Sequence, residues 1–262
     1  MGLLSQIDME LQKDFRRITN QKIRSEERDS MALTTQMSMF GFEEQEHHKR
    51  MIGEVLEITS DTAADFLLPR HYSGRVPSIS KAFGWYVKGE LKAVCTFGKP
   101  ASPSLCVGVC GEKYAENVYE LNRLCREDDF HEPLSSFVSA CLRRLRVMRW
   151  IIVSYSDTAM NHHGYIYQAC NFLYTGATKE RTDIYTGEGK HSRHYTEEDM
   201  NCGVRQVRSA KHRYVYFCTY LKREKKEWRD ALQYDVCPYP KGDNNPNYTL
   251  GNYIKPELRA VT

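Results

Sequence analysis

The stretch from Tyr155 to Gly176, YSDTAMNHHGYIYQACNFLYTG, places an aspartate, two histidines and several tyrosines between two apolar runs. Asp157 follows a segment typical of a buried strand, and ligands often bind at the ends of central strands in open α/β sheets. His162 and His163 are adjacent, so they lack the spacing of two zinc ligands on one helix. Tyr165 and Tyr167 begin the next predicted helix, where one of the two could point back to the same cleft and donate a proton to a leaving thiolate. From the residues alone, a structural role is the favoured interpretation, with Asp157 as a helix cap and the tyrosines in the core.

A second segment with chemical potential runs from Tyr119 to Leu145, where a predicted strand leads through a loop into a predicted helix. Pro133, Ser135 and Ser136 occupy the first turn of that helix. Free amides at a helix N-terminus favour phosphate, although serines there also serve as ordinary caps. The chain has no Gly-x-Gly-x-x-Gly and no Walker sequence, so neither a dinucleotide site nor a nucleoside triphosphate site is predicted.

A sheet flanked by helices must hold these residues in place. Residues 53–59 alternate as a strand, and Lys88-Gly89 marks the turn of a hairpin between two further strands. Apolar residues recur at helical spacing after Leu134, and residues 149–156 form a continuous apolar run typical of a strand buried on both faces. A further helix is predicted from about Gly164 to Phe172. This alternation predicts a mixed α/β sheet, with its parallel part in the strand–helix–strand segment.

The chain is predicted to have three parts. Residues 1–50 form a helical extension, because apolar residues recur at helical spacing between Ile7 and Ile18, before a polar stretch. Residues 51–243 form the ordered domain, which includes a basic segment at residues 201–243. Residues 244–262 form a tail rich in proline, glycine and asparagine.

Composition narrows the class of protein. The chain has 262 residues, of which 41% are hydrophobic and 27% charged, as in ordinary globular proteins. No apolar stretch approaches the ~20 residues of a membrane span, and the N-terminus becomes charged too early for a secretory signal. We therefore expect a soluble intracellular protein without a membrane partner. The nine cysteines are scattered, mostly in apolar runs, so we expect buried side chains rather than a zinc site or disulfides.

Positive charge is concentrated in two parts of the chain, although the formal net charge is only +3. Residues 201–230 contain nine Lys/Arg and three Asp/Glu, with tyrosines between them, and a second cluster covers Arg143 to Arg149. Such segments are typical of a face that binds a polyanion, and a solvated helix surface has the same composition. With Arg75 added, the predicted contacts to nucleic-acid phosphates come from Arg75, Arg143, Arg144, Arg208, Lys211, Arg213, Lys222 and Arg223.

Four segments occur in an order that is specific to one family. They are LPRHYSGRVP, YELNRLCREDD followed by LSSFV and LRRL, IIVSYSDTAMNHHGYIYQACNFLYTG, and QYDVCPYPKGD. Together they resemble the Mom family of bacteriophage DNA adenine-modifying proteins. The resemblance covers about Ile52 to Asp243, and the N-terminal extension lies outside it.

This resemblance implies an α/β fold of the GNAT (acetyltransferase-like) kind, with a mixed central sheet, two parallel strands that splay apart, and helices on both faces. It also implies an enzyme that converts adenine in double-stranded DNA to N6-carbamoylmethyladenine, with acetyl-CoA or a related CoA thioester as cofactor. The modification would protect phage DNA from restriction in the host cytoplasm. The usual GNAT phosphate loop, Gln/Arg-x-x-Gly-x-Gly/Ala, is absent, and DDFHEPLSS stands in its place.

The resemblance further implies roles for individual residues. The implied catalytic residues are Tyr72, Asp157 and Tyr167. The implied cofactor-binding residues are Arg123, Ser135, Ser136, Ser156 and Tyr167. The implied ligands of a bound iron are His71, Tyr72 and Asp157, with His163 as a neighbouring candidate. A flipped adenine would stack on aromatic side chains, for which the candidates are Tyr72, Phe83, Trp85 and Tyr86.

Two other functions are compatible with the same sequence. The first is a conventional GNAT N-acetyltransferase, which would acetylate a small amine or a protein in the absence of DNA. The second is a non-enzymatic DNA-binding protein on a GNAT-like scaffold, in which Asp157→Ala and Tyr72→Phe leave every cellular phenotype unchanged. The sequence leaves a homodimer open.

Overall fold

The computed structural model describes residues 51–71, 75–185, 196–201 and 204–243, together with the backbone of residues 258–260. The chain divides into two units, residues 1–50 and 51–262, and every described residue belongs to the second. The predicted N-terminal helix and the catalytic candidate Tyr72 therefore lie outside the described residues.

Strands alternate with short helices through most of the domain. The strands are β1 (Glu54–Ile58), β2 (Lys81–Val87), β3 (Glu90–Gly98), β4 (Val118–Arg126), β5 (Trp150–Asp157), β6 (Leu173–Ala177), β7 (Arg181–Ile184), β8 (Val204–Arg208), β9 (Lys211–Cys218) and β10 (Leu258–Ala260). The α-helices are α1 (Ser60–Leu67), α2 (Pro103–Cys110), α3 (Leu134–Leu145), α4 (Tyr165–Ala169), α5 (Glu197–Met200) and α6 (Lys222–Asp230). Short 3₁₀ helices cover Glu112–Asn117, Arg146–Met148 and Thr158–Met160.

The central sheet has the strand order β1-β2-β3-β4-β5-β9-β6, and β7, β8 and β10 form a small second sheet. Within the central sheet β4 and β5 pair in parallel, while the other neighbours pair antiparallel. The parallel pair is the one joined by helix α3, because a parallel connection needs a crossover between the two strands. The predicted mixed α/β sheet is confirmed.

The two parallel strands stay together for only part of their length. They pair through Val118–Glu120 and Ile151–Val153, although β4 continues to Arg126 and β5 to Asp157. Where the pairing ends, the hydroxyl of Ser154 donates a hydrogen bond to the carbonyl of Leu121 (3.0 Å). We call the gap between the unpaired ends of β4 and β5 the sheet opening. It confirms the splayed parallel strands expected of a GNAT-like fold.

Helices cover both faces of the sheet, as predicted. On one face, which we call the α3 face, Phe137 and Leu142 of α3 pack against strand residues that include Trp85 and Ile152. On the opposite face, α2 and α6 cover the centre of the sheet, and Trp228 of α6 lies in that core. Helix α1 covers the β2–β3 end of the same opposite face. The strand predicted to be buried on both faces is β5, whose first four residues, Trp150 to Val153, are all at most 5% exposed.

The structure differs from the sequence-based predictions at three places. Helix α2 was not predicted, because its apolar and cysteine-rich residues show no helical periodicity, although Ser102 caps it and Pro103 begins it. Helix α4 ends at Ala169 rather than near Phe172, because the chain turns through a left-handed conformation at Asn171 (φ 60°). Phe83 and Trp85 are buried in the core, so they offer no surface on which a base could stack.

The segment from Gln233 to Gly242 covers the edge of the sheet. The amide of Cys237 donates to the carbonyl of Tyr174 on the edge strand β6 (2.8 Å), and the hydroxyl of Tyr239 donates to the carbonyl of Phe172 (2.7 Å). An uncovered edge strand would expose backbone groups to other chains. The segment QYDVCPYPKGD therefore has a structural role, which is to cover the edge strand β6. No helix in the described ranges is long and apolar enough to span a membrane.

Candidate active site at the sheet opening

The sheet divides the predicted site residues between its two faces. Side chains alternate along a strand, and the ring of Tyr119 stacks on Trp150 on the α3 face (3.8 Å between centroids). Val118 and Glu120 therefore point to the opposite face, and Val118 lies in the core there. On β5 the same alternation sends Ser154 and Ser156 to the α3 face, and it sends Tyr155 and Asp157 to the opposite face.

Ser135 and Ser136 lie on the α3 face, in the first turn of α3. No side chain caps this helix, which begins after Pro133. The thiol of Cys170, directly after α4, donates to the carbonyl of Ser135 (3.3 Å), so the N-terminus of α3 and the end of α4 meet. Because α3 follows β4, its N-terminus lies at the end of the sheet where β4 and β5 separate.

Ser156 also faces α3, and it is 6% exposed. Its hydroxyl is buried and forms no hydrogen bond within the part of the chain that the structure describes. A buried hydroxyl without a partner is costly, so this group is a candidate to bind a ligand. The paired residue on β9 is His212, whose Nδ1 lies 2.9 Å from the hydroxyl of Tyr174. Burial, and then the nearby His163, lower the pKa of His212.

Tyr167 packs as a core aromatic residue on the α3 face. Its ring centroid lies 5.5 Å from that of Phe172 and 5.3 Å from that of Tyr214. The hydroxyl of Tyr214 donates to the carbonyl of His163 (2.5 Å), which ties the His162–Gly164 turn to β9. Tyr167 therefore has the core packing that the sequence analysis gave as its structural role.

Asp157, at the end of β5, has three partners. Its Oδ1 accepts hydrogen bonds from the amide of Ala159 (3.0 Å) and the hydroxyl of Ser209 (2.6 Å). Its Oδ2 lies 3.4 Å from Nζ of Lys211, and its side chain is 15% exposed. The carboxylate thus caps the Thr158–Met160 turn, which is the structural role that the sequence left open.

Arg123 lies on the face opposite Ser135 and Ser136. Strand β4 has an extra residue, Asn122, opposite β3, so Arg123 pairs with Thr96 and shares its face. The guanidinium donates to the carbonyls of Asn122 (2.6 Å) and Arg75 (3.4 Å). The five predicted cofactor residues are therefore split, with Arg123 on one face and the other four on the α3 face.

His71 is buried beside Arg123. It follows α1 after three intervening residues, and its amide donates to the carbonyl of Leu67, the last residue of that helix (2.8 Å). The residue is 7% exposed. Burial, and then the charge of Arg123, lower the pKa of His71 to about 3. The imidazole is therefore neutral at physiological pH.

Glu120 is the main polar residue of the site that sequence patterns missed. It lies on the face opposite α3, at the last position where β4 pairs with β5. Burial raises the pKa of its carboxyl group, against the opposing charges of Arg123 and Lys211. Burial, and then Glu120, also raise the pKa of the Tyr155 hydroxyl. A charged residue two positions after buried Val118, on the same side of a strand, was the signal that identifies it.

The predicted DNA-binding residues lie at two ends of the sheet. Since β5 runs from Trp150 towards Asp157 and β9 runs the other way, Lys211 and Arg213 lie at the opening end, near Ser209. The last turn of α3 and the first turn of α6, which follows β9, lie at the opposite end of the sheet. At the opening end are Arg75, Arg208, Lys211 and Arg213, and at the far end are Arg143, Arg144, Lys222 and Arg223.

Five of these basic side chains are bound to other residues of the protein. Arg208 lies 3.5 Å from Asp183, Lys211 lies 3.4 Å from Asp157, and Arg223 lies 2.8 Å from Glu227. Arg144 donates to the carbonyls of Val55 (2.8 Å) and Ala140 (3.3 Å). Arg213 donates to the hydroxyl and carbonyl of Thr175 (2.9 Å each), and its guanidinium lies 3.2 Å from the centroid of the Tyr234 ring. The assignment of all eight residues to DNA stays a prediction.

The implied iron site is not formed by the side chains that the structure describes. Among them, no group of three or more His, Cys, Asp or Glu side chains is placed to hold a metal ion. Of the implied ligands, Tyr72 lies outside the described residues, and the carboxylate of Asp157 is occupied by Ala159, Ser209 and Lys211. His71 and His163, the two remaining candidates, do not make an iron site by themselves. No chemical step is therefore assigned to a metal.

Solved structures similar to this chain include acetyltransferases. An acetyltransferase from Bacillus subtilis in complex with CoA is 14% identical, with 63% of this chain and 96% of that chain covered and a TM-score of 0.38. An N-acetyltransferase from Staphylococcus aureus is 11% identical, with 64% and 100% covered and a TM-score of 0.39. A polyamine N-acetyltransferase from Drosophila melanogaster is 9% identical, with 63% and 100% covered and a TM-score of 0.37. Similarity at this level is too weak to transfer an activity.

Comparisons by sequence give one clear result. Comparison with curated proteins finds no match. A family model described as the Mom protein family matches residues 53–241. The matched region includes β4, α3, β5 and α4, and therefore the whole sheet opening.

Proposed function

Since the chain belongs to the Mom protein family, we propose that it is an enzyme that modifies adenine in double-stranded DNA with a CoA thioester as the donor. The family match over residues 53–241 carries this proposal, because the matched region contains every element of the sheet opening. The implied product is N6-carbamoylmethyladenine, and its role is to protect phage DNA from restriction in the host cytoplasm.

The CoA thioester is proposed to bind on the α3 face. The N-terminus of α3 has no side-chain cap, so its amides and the hydroxyls of Ser135 and Ser136 offer donors for a pyrophosphate. The buried hydroxyl of Ser156 has no partner among the described residues and is proposed to donate to the thioester carbonyl. Tyr167, on α4 beside this face, is proposed to protonate the leaving thiolate.

The acceptor adenine is proposed to lie on the opposite face, across the sheet opening from the donor. The exocyclic amine of adenine is a poor nucleophile, because its lone pair is delocalised into the ring. Reaction therefore requires the amine and the thioester carbon to be held at attack distance. Asp157, fixed by its three partners at the rim of the opening, is proposed to orient the amine, and Tyr72 is proposed to contact the base.

The DNA is proposed to bind at the opening end of the sheet. Lys and Arg side chains bind duplex phosphates and release counterions, which makes binding sensitive to salt. The target base must leave the helical stack to reach an enclosed site. The basic residues proposed to hold the flanking phosphates are Arg75, Arg208 and Lys211. Lys211 lies beside Asp157, the Arg75 carbonyl accepts a hydrogen bond from Arg123, and Arg208 directly precedes Ser209 and pairs with Asp183.

Mass spectrometry of modified DNA tests the proposal. The protein is expressed with a reporter plasmid, and the plasmid is digested to nucleosides that are then weighed. We expect a deoxyadenosine heavier by a carbamoylmethyl group, absent without the protein and lost in Asp157→Ala. Unmodified deoxyadenosine, together with acetylation of free amines by the purified protein, would instead support a conventional N-acetyltransferase. Unmodified deoxyadenosine with salt-sensitive DNA binding would support the non-enzymatic alternative.

A further inference from the structure

Glu120 occupies a distinctive position in the sheet. It is the last residue of β4 that pairs with β5, opposite Val153, so it lies where the two strands begin to separate. Its side chain points to the face away from α3, which is the face proposed for the acceptor adenine. The residue is neither fully buried nor exposed, so a carboxylate here is enclosed by protein while it remains accessible from the opening.

The carboxylate of Glu120 is chemically uncommitted. Within the described part of the chain it forms no hydrogen bond and no ion pair, whereas the carboxylate of Asp157 has three partners. An enclosed carboxylate without partners normally destabilises a protein. Glu120 is therefore a candidate to contact the substrate rather than a structural residue.

Charged and titratable groups from four elements surround Glu120. Arg123 on its own strand and Lys211 on β9 act on it electrostatically. Tyr155 on β5 and Cys106 on α2 are in turn affected by the charge of Glu120. The two cations favour the ionised carboxylate and burial opposes it, so the group is suited to take up and release a proton.

We propose that Glu120 is the catalytic base that accepts the proton from the exocyclic amine of the acceptor adenine. This inference rests on the function proposed above. The role concerns the acyl-transfer step alone: the amine nitrogen attacks the thioester carbonyl carbon, the new N–C bond forms and the C–S bond breaks, so this step yields an N6-acyladenine. The electron pair of the C–S bond goes to the sulfur, which leaves as the CoA thiolate. The N–H bond that breaks gives its proton to Glu120, and Asp157 keeps its hydrogen bonds throughout.

The variant Glu120→Gln tests this role, because it keeps the size of the side chain and removes the ability to accept a proton. Glu116→Gln is the matched control, since Glu116 precedes β4 and its side chain is 98% exposed. Modification is measured as the modified fraction of plasmid deoxyadenosine over time. We expect Glu120→Gln to slow modification by about 100- to 10,000-fold, the usual contribution of a general base. We expect Glu116→Gln to match the wild type.

Two further measurements separate catalysis from folding. Acetyl-CoA binding, measured by titration calorimetry, should be unchanged in Glu120→Gln, because the donor is proposed to lie on the other face. Glu120→Asp, which keeps a carboxylate on a shorter side chain, should retain more activity than Glu120→Gln. Loss of acetyl-CoA binding in Glu120→Gln, or equal loss of activity in the two variants, would indicate a structural role and overturn the assignment.

The outcomes also separate this inference from the function on which it rests. If the wild-type protein modifies deoxyadenosine and Glu120→Gln modifies it equally fast, Glu120 is not the base and the proposed function stands. If the wild-type protein modifies no deoxyadenosine, the proposed function fails and the role of Glu120 fails with it.

Discussion

The carboxylate of Asp157 and the ammonium group of Lys211 lie 3.4 Å apart, at paired positions of β5 and β9. This contact joins the last residue of β5 to the first residue of β9, beside the sheet opening. Ser209, in the turn before β9, donates a further hydrogen bond to the same carboxylate. Asp157, which the sequence analysis identified as a candidate, therefore connects β5, β9 and the turn before β9 at the rim of the opening.

Replacement of Asp157 should affect both stability and activity. Asp157→Ala removes the cap of the Thr158–Met160 turn and the contacts with Ser209 and Lys211. Loss of a cap typically costs about 1 kcal/mol in the free energy of unfolding, which urea denaturation measures. We expect that loss together with loss of DNA modification. Ser209→Ala, which removes only one donor, should cost less stability and retain modification. Full modification by Asp157→Ala would contradict the proposed role.

Much of the fold followed from periodicity. The β2–β3 hairpin, the apolar stripe of α3 and the buried strand β5 each carry a local pattern that determines the element. Helix α2 carries no such pattern, because its own apolar residues lie on both the buried side (Val109) and the exposed side (Val107). Its position depends on packing against β4 and β9. The splay of β4 and β5 was expected only from the family resemblance.

The candidate site was predicted less completely than the fold. Asp157 was identified because it ends a buried strand, but its three partners come from residues up to 54 positions away in sequence. The side of the sheet on which Arg123 lies depends on the extra residue Asn122, which no local pattern marks. Glu120 carries only a weak local signal, a charge two positions after Val118, and its importance depends on neighbours in the sheet that are distant in sequence.

The buried His71 should make the protein less stable in acid. Its pKa is about 3 in the folded protein because of burial and Arg123, against an ordinary value of 6.5. Between these values the unfolded chain binds a proton that the folded chain does not, so stability falls as the pH falls below 6.5. The expected slope from this one group approaches about 1.4 kcal/mol per pH unit.

Comparison with His71→Gln isolates this contribution. The glutamine variant lacks the titrating group, so its free energy of unfolding should depend less on pH between 6 and 4, as measured by urea denaturation. His131→Gln is the control, because His131 is exposed in the loop before α3. An identical pH dependence for wild type and His71→Gln would show that His71 takes up its proton in the folded protein.

Basic residues at the two ends of the sheet should differ in their effect on DNA binding. Arg75→Ala, at the opening end, should weaken binding to duplex DNA and reduce the slope of log affinity against log salt by about 0.9. Arg223→Ala is the matched control at the far end, where Arg223 pairs with Glu227 within α6 (2.8 Å). Binding is measured by fluorescence anisotropy across a salt series. Equal changes in both variants would mean that DNA does not select the opening end.

Ser156 should show a trade-off between stability and activity. Its buried hydroxyl has no hydrogen-bond partner in the described residues, and such a group costs about 1–3 kcal/mol in desolvation. Ser156→Ala removes that cost at the price of a small void, so we expect the free energy of unfolding to rise by about 1 kcal/mol. Acetyl-CoA affinity and DNA modification should both fall, because the proposed donor to the thioester carbonyl is gone.

Ser154→Ala is the control for this effect. The Ser154 hydroxyl lies on the same face two residues earlier, but it donates to the carbonyl of Leu121 where β4 and β5 separate. Its removal leaves that carbonyl without its partner, so Ser154→Ala should lower the free energy of unfolding rather than raise it. Urea denaturation and titration calorimetry with acetyl-CoA measure the two effects side by side. If Ser156→Ala is destabilised and binds acetyl-CoA as the wild type does, the Ser156 hydroxyl has a structural partner and does not contact the donor.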